Sequence, residues 1–305
     1  MSTVEAVEAR SGARRGRRTR RLRATLAPYG LVLPGGLWLA IFFVAPMVAM
    51  LLLSLQTGNI ISGFQQTLHV ATYENVVRTY HTELVRSLVY GLIVSAVTIV
   101  LAYPMAYWIA FHGGSRKSTY LFLTLLPFFV SFLIRTLSWN FLLADNGLIL
   151  GQLKSWGIVS QDFHVLATPF AVIAGLTYNF FPFMLLPLYV ALERIDKSMV
   201  EAATDLYAGR TQRFLRIVLP LSIPGVFAGV LLVFVPASSD FINASILGGT
   251  NTTMIGNVIQ TEYFTNNDYP SASALAFVLM AILLIGIFAY ARALGTKDVL
   301  EASAG

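Results

Sequence analysis

Long apolar runs separated by short polar segments dominate the hydrophobic pattern of this chain. Each of the main runs is long enough to cross the hydrocarbon core of a bilayer, which takes about 20 residues of α-helix. Six such runs lie at about 30–55, 84–111, 119–143, 166–192, 217–247 and 271–294. The pattern therefore predicts an all-α polytopic membrane protein with six transmembrane helices.

Composition narrows the class of protein further. Hydrophobic residues make up 56% of the chain and charged residues only 12%, about half of the roughly 25% that is usual in soluble domains. The chain contains no cysteine, which excludes disulfides, thiol nucleophiles and cysteine-ligated metals. The four histidines are scattered without the spacing of a metal site. No bound metal or cofactor is therefore expected in this chain.

The distribution of basic residues predicts the orientation in the membrane. With the N-terminus inside, 17 of the 21 Lys and Arg residues fall in the tails and inner loops, and only Arg78 and Lys154 fall in outer loops. Positive charge is retained on the cytoplasmic side, so both termini are expected to be cytoplasmic. The Arg-rich run before the first span is typical of such an anchor. Nucleic-acid binding and a cleaved signal peptide are the alternatives.

These features divide the chain into three parts. Residues 1–29 form an Arg-rich cytoplasmic tail, residues 30–295 the transmembrane domain, and residues 296–305 a cytoplasmic C-terminal tail. Several spans contain prolines, and the fifth contains three. Because freed backbone groups are tolerated beside other helices or a watery cavity, these prolines suggest helices that line a pathway. Gly225 and Gly229, and likewise Ala171 and Gly175, have the spacing that allows close helix contact.

The inner loop 193–216 carries the most informative motif. Its residues predict a short amphipathic helix, a turn at Gly209 and a further helix that leads to Pro220. From composition alone, a solvated linker is an equal alternative. The run Glu201-Ala202-Ala203, with Pro220 at the end of Ile-Val-Leu-Pro, resembles the EAA motif of ABC importer permeases. Tyr207 stands where that family usually has glycine.

The resemblance implies a type I ABC importer permease fold and a set of partners. The EAA loop would form the coupling helix that docks on a cytoplasmic ATPase. The implied docking positions are Glu201, Ala202, Ala203, Asp205 and Gly209. The chain has no Walker phosphate-binding motif. ATP and Mg would therefore be bound by two partner ATPase subunits, and a second permease and an extracytoplasmic substrate-binding protein would complete the complex in the cell membrane.

A second resemblance concerns the solute. Arg135-Thr136-x-x-Trp139 and Asn146-Gly147-Leu148-Ile149 are similar to the B-type subunits of the spermidine/putrescine permeases. The same holds for the fifth span around Phe234-Val-Pro236. This resemblance implies transport of a polyamine. Permeases for iron, sulfate and phosphonates share part of the pattern and remain alternatives.

Ionisable and aromatic residues within the spans are the candidates for a substrate pathway. Asp240, late in the fifth span, is chemically suited to a passing polycation because a carboxylate in a membrane normally faces a cavity or a partner. Pairing with Arg135, or a position at the outer interface, is the alternative. Trp139 and Tyr178 are candidates for cation-π contacts, with simple packing as the alternative. In the outer loop, apolar residues between 148 and 156 predict a short interfacial helix.

Two other classes of function are weighed against the permease subunit. A self-sufficient secondary transporter would need no coupling loop and would carry its own ion site near the midplane. A membrane-embedded enzyme would need a cluster of catalytic side chains within the spans, and the apolar runs contain none. The EAA loop favours a non-catalytic permease subunit of an ATP-driven importer.

Overall fold

The computed structural model describes residues 32–59 and 61–293 of the chain. The described part consists of helices and one short antiparallel hairpin. In chain order these elements are α1 Val32–Ser54, β1 Gln56–Asn59, β2 Gly63–Gln66, α2 Ala71–His112, α3 Lys117–Leu125, α4 Phe132–Leu143, α5 Leu150–Ser155, α6 Pro169–Glu193, α7 Lys197–Asp205, α8 Arg210–Ser239, α9 Ile242–Leu247, α10 Ile255–Phe264 and α11 Tyr269–Ala293. The predicted tails, 1–29 and 296–305, lie outside the described residues.

Membrane-spanning helices account for most of the fold. Among the described residues, five helices are long and apolar enough to span a membrane, namely α1, α2, α6, α8 and α11. The segment Gly114–Phe129 and helix α4 together form a sixth candidate, bent by 82°. The predicted six-helix architecture is confirmed when this bent pair counts as one span.

The third predicted span, 119–143, is not a single straight helix. The helix tightens into a 3₁₀ turn at Leu126–Phe129, which contains Pro127, and Val130 has an extended backbone with φ −73° and ψ 144°. Proline removes a backbone donor, and such breaks occur where a cavity or neighbouring helices satisfy the freed groups. The bend divides the span into two half-helices that meet beside α6.

Two further boundaries differ from the sequence prediction. Helix α2 begins at Ala71, so the predicted outer loop 56–83 contains the hairpin and the first turns of this helix. Tyr80 has a non-helical backbone, with φ −110° and ψ 20°, which places a kink in α2 close to the predicted start of the span at about 84. The fifth span was expected to run to 247, but α8 ends at Ser239 because Asp240 has an extended backbone, with ψ 132°. The side chain of Asp240 then accepts the N–H of Asn243 at 2.7 Å and starts α9 as a separate short helix.

The core lies where α2, α6 and α8 pack against one another. Close approach of α8 to α6 depends on small residues, because a Cβ at Gly225 would collide with Ala191 and Pro187, and one at Gly229 with Met184. Gly175 of α6 likewise lies against Leu247 and Asn243 of the α9 helix. The predicted close contacts of both small-residue pairs are therefore confirmed.

Candidate functional site

The loop 193–216 folds into an exposed short helix between two spans. Helix α7 begins where the Asp196 carboxylate accepts the N–H of Ser198 at 2.9 Å, a typical N-cap. This backbone hydrogen bond holds the pKa of Asp196 below its usual value. Helix α8 then begins at Arg210, with Gly209 as its N-cap. The two predicted helices are confirmed, but the turn between them lies at Leu206 and Tyr207 instead of Gly209.

Tyr207, rather than Gly209, makes the left-handed turn at the end of α7. The Tyr207 N–H donates to the Thr204 carbonyl at 2.9 Å and the Ala208 N–H to the Ala203 carbonyl at 3.0 Å. This is the bonding pattern of a Schellman turn, in which glycine is usual at the left-handed residue. Tyr207 takes that conformation with φ 57°, and an L-residue there costs roughly 1–2 kcal/mol. Position 207, where glycine is expected from the family resemblance, therefore has a left-handed backbone in this chain.

Helix α7 presents its predicted docking residues to solvent. Glu201, Ala202, Asp205 and Gly209 are exposed, and Ala203 is half-buried. Glu201 forms no ion pair with any residue that the structure describes. At the tip of the helix, Leu206 is 80% exposed and Tyr207 98%. The loop therefore offers an unpaired carboxylate, small side chains and two protruding large ones on a single short helix.

A second group of candidates surrounds the bend of the third span. Trp139 and Tyr178, both predicted as pathway residues, line an apolar cavity of about 820 Å³. Their ring centroids lie 5.6 Å apart. Arg135 lies nearby, with its guanidinium carbon 5.0 Å from the ring centre of Phe128 and 5.9 Å from that of Tyr178. The Nε and Nη1 atoms of Arg135 are buried without a hydrogen-bond partner. Within the described residues, the Arg135 guanidinium therefore contacts aromatic rings and no carboxylate.

Asp240 belongs to a buried polar cluster. It is 8% exposed, and its Oδ2 accepts from Asn243 Nδ2 at 3.3 Å. Asn243 Oδ1 accepts from Asn179 Nδ2 at 3.0 Å and from Thr136 Oγ1 at 3.2 Å. Asp240 and Arg135 form no ion pair, so the predicted alternative of a structural pair between them is wrong. Asp240 is also not among the residues that line the apolar cavity.

Most of this buried polar cluster was not predicted from the sequence. Thr136 on α4 and Asn179 on α6 are fully buried, and they join these helices to the start of α9 through Asn243. The available signal was the presence of polar side chains within apolar runs, which in a membrane protein need partners inside the bundle. Thr136 reaches Asn179 and Asn243 only because the third span bends.

The loop between α4 and α6 contains a short helix, Leu150–Ser155, so the predicted short helix is confirmed. Lys154 donates to Asp145 Oδ1 at 2.9 Å, and His164 Nδ1 lies 2.8 Å from Asp145 Oδ2. The hydrogen bond from Lys154, followed by that from His164, holds the pKa of Asp145 below its usual value. These contacts fix the course of the loop.

Comparison with known proteins agrees with this architecture. The permease protein PotB of the spermidine/putrescine transport system of Haemophilus influenzae is 35% identical over 257 residues, which cover 84% of this chain and 90% of that protein. PotB of Escherichia coli K12 is 33% identical over 268 residues, covering 87% of this chain and 98% of that protein. The inner membrane ABC transporter permease protein YdcU of the same organism is 31% identical over 232 residues, covering 71% of this chain and 72% of that protein.

The fold also matches a solved structure. A chain in the crystal structure of a bacterial alginate ABC transporter, in complex with an alginate pentasaccharide-bound periplasmic protein, superposes with a TM-score of 0.67 at 18% identity. The match covers 90% of this chain and 95% of that chain. The sequence profile of the binding-protein-dependent transport system inner membrane components matches residues 85–294. The chain therefore belongs to this family of transport permeases.

Proposed function

We propose that this chain is the non-catalytic permease subunit of an ATP-driven ABC importer for polyamines. The observation that carries the proposal is helix α7, which presents Glu201 unpaired and exposed between two membrane spans. The names of the relatives supply the solute, since two of them are spermidine/putrescine permeases at 35% and 33% identity over most of the chain. A permease for iron, sulfate or a phosphonate is the second candidate within the same family.

The proposed partners follow from what this chain does not supply. Two ATPase subunits would bind ATP and Mg and receive α7, because the sequence has no Walker motif of its own. A second permease would complete the pathway, and a substrate-binding protein would dock on the outer loops, including the loop fixed by Asp145. A secondary transporter is a weaker candidate, because it would have no use for an exposed coupling helix.

Coupling would run from α7 into α8. The two helices are separated by one tight turn, and Arg213 of α8 donates a hydrogen bond to Thr204 of α7. Helix α8 extends from Arg210 to Ser239, where it meets Asp240 and the buried polar cluster. A helix of this length spans about 45 Å. A displacement of α7 would therefore move the far end of α8 directly, without a flexible linker between them.

The proposed substrate contacts are Asp240, Trp139 and Tyr178. Asp240 is a carboxylate with no cationic partner among the residues described. The two aromatic side chains line the cavity beside the bend and can contact ammonium groups through their ring faces. The cavity is otherwise apolar, which suits the methylene chain between the ammonium groups of a polyamine.

Orientation in the membrane is tested by cysteine labelling. With both termini cytoplasmic, single cysteines at Ser160 and Asn266 should react with an impermeant maleimide in intact cells, because both positions are exposed in outer loops. Cysteines at Ser115 and Thr211, also exposed, should react only after the cells are opened. The chain lacks native cysteine, so the background is zero. Labelling of Thr211→Cys from outside would contradict both the orientation and the coupling role.

The solute is tested in a reconstituted complex. The tagged chain, co-expressed with its ATPase, second permease and binding protein, is placed in proteoliposomes and ATP hydrolysis is measured. We expect spermidine or putrescine with the binding protein to raise the rate severalfold, whereas sulfate, a phosphonate or ferric iron should leave the rate unchanged. Stimulation by one of the latter solutes alone would assign the chain to another branch of the family.

A further inference from the structure

A second cavity lies at the inner end of the bundle and has a different character. It has a volume of about 580 Å³ and is enclosed by the last turns of α2, by α7 and by the start of α8. Its α2 wall is aromatic, with Tyr107 and Phe111, and its opposite wall carries Lys197, Arg210 and Arg213. No residue of the proposed solute pathway lines this cavity.

Positive charge dominates the cavity. The cavity is lined by three cationic side chains, Lys197, Arg210 and Arg213, and by one carboxylate, Glu201. With His112, which also lines it, counted as neutral, the net charge is +2. None of the three cations forms an ion pair within the described residues. Concentrated charge of one sign inside a concave site attracts an ion of the opposite sign more strongly than the same charges spread over a surface.

Arg213 is held in position for such a ligand. Its Nη1 donates to Thr204 Oγ1 across the turn between α7 and α8. Its Nε is buried without a hydrogen-bond partner. A buried donor left without a partner is unfavourable, and guanidinium groups bind phosphate and carboxylate oxygens through two adjacent N–H groups. The oriented side chain and its free donor indicate that an anion belongs in the cavity.

We propose that this cavity binds the phosphate headgroup of an anionic phospholipid from the inner leaflet. The inference rests on the orientation proposed above, which places the end of α2 at the cytoplasmic surface. Basic pockets between helices at this surface suit anionic headgroups. The aromatic wall of Tyr107 and Phe111 continues from a membrane-spanning helix, so it is placed to contact the glycerol and upper acyl groups. A free phosphate would use the basic wall alone.

Lipid binding in this cavity would be linked to docking of the ATPase. Glu201 lines the same cavity and is also the carboxylate proposed to pair with a basic group of the ATPase. When that pair forms, one negative charge in the cavity is neutralised and the attraction for a headgroup increases. Linkage is reciprocal, so the bound lipid strengthens docking of α7 by the same factor.

The test measures lipid affinity of the intact complex rather than transport. The purified complex is titrated with phosphatidylglycerol in phosphatidylcholine nanodiscs, and bound lipid is counted by native mass spectrometry. Lys197→Gln and Arg210→Gln alter exposed side chains, so both variants should fold. Each should weaken phosphatidylglycerol binding about fivefold, because a charge-assisted hydrogen bond to the phosphate in the cavity is roughly twice as strong as a neutral one. The matched control is Arg216→Gln, which removes the same charge from the same loop outside the cavity and should leave affinity unchanged.

Other outcomes overturn the proposal. Equal affinity in all variants would show that the cavity is not the site. Competition by millimolar inorganic phosphate or ATP, without any preference for phosphatidylglycerol over phosphatidylcholine, would assign the cavity to a soluble anion instead. Because the measurement needs no solute, failure of the complex to transport polyamines would leave the result intact. The lipid inference and the solute assignment can therefore fail separately.

Discussion

Glu201→Lys is expected to leave the chain folded and inserted but to abolish solute uptake. The carboxylate lies on the exposed side of the structure and contributes to no internal hydrogen bond or ion pair of the described chain. At a docked interface the substitution would place two like charges together. Breaking a buried, charge-paired contact costs about 2–5 kcal/mol, which corresponds to a 30-fold or greater loss of affinity. Uptake and co-purification of the ATPase measure the effect.

Two companion variants separate charge from position. Glu201→Gln should show an intermediate loss, because the amide keeps the shape and one acceptor but not the charge. Thr211→Lys adds a cation to the same loop outside α7 and should behave as the parent chain. Normal uptake and normal co-purification of the ATPase with Glu201→Lys would mean that the loop is only a linker.

Glu201→Lys also distinguishes docking of the ATPase from lipid binding, since it should change the two affinities in opposite directions. Lysine at position 201 would raise the net charge of the basic cavity and should therefore strengthen binding of phosphatidylglycerol while it weakens binding of the ATPase. If both affinities fall together, the helix itself has been disrupted. This comparison makes Glu201→Lys more informative than a deletion of the loop.

Much of the fold was predictable because apolar length alone determines where a helix can cross a bilayer. The boundaries of the helices were harder to predict, because they depend on whether the backbone continues the helix or adopts another local conformation. Pro127 could have been accommodated by a kink, but the backbone instead becomes extended at Val130 and the span bends by 82°. Asp240 looked like a residue within a span, yet its side chain takes the N–H of Asn243 and starts a new helix. The start of α2 at Ala71 lies in sequence too polar to signal a span.

The helix in the loop 193–216 was predictable because its motif is local in sequence. Glu201 and the two alanines lie within one helical turn, so the motif and its exposure follow from sequence spacing. The buried cluster is different, since Thr136, Asn179 and Asn243 come from three helices and meet only after the third span bends. Pairing of Asp240 with Arg135 was chemically reasonable but wrong, because Arg135 turns towards the rings of Phe128, Phe132 and Tyr178.

Asp240→Asn is expected to reduce polyamine uptake about tenfold, the difference between a charge-assisted and a neutral hydrogen bond, while the complex assembles normally. The asparagine side chain keeps one oxygen that can accept the Asn243 N–H, a bond now made at 2.7 Å, so the start of α9 should survive. The longer bond from Asn243 Nδ2 to the second oxygen, at 3.3 Å, is lost, because an amide nitrogen cannot accept it. The substitution also removes the negative charge of the Asp240 carboxylate. No cation of the described chain forms an ion pair with this carboxylate.

Asp240→Ala serves as the structural comparison. It removes both acceptors from a site that is 8% exposed and leaves donors of the buried Asn243 unpaired, which costs about 1–3 kcal/mol. We therefore expect alanine to lower the yield and thermal stability of the complex, whereas asparagine lowers only uptake. Full yield with full spermidine and putrescine uptake in Asp240→Asn would restrict Asp240 to its role in starting α9. Equal loss of yield in Asp240→Asn and Asp240→Ala would mean that the buried cluster requires the carboxylate charge to assemble. Uptake would then have to be divided by the amount of assembled complex.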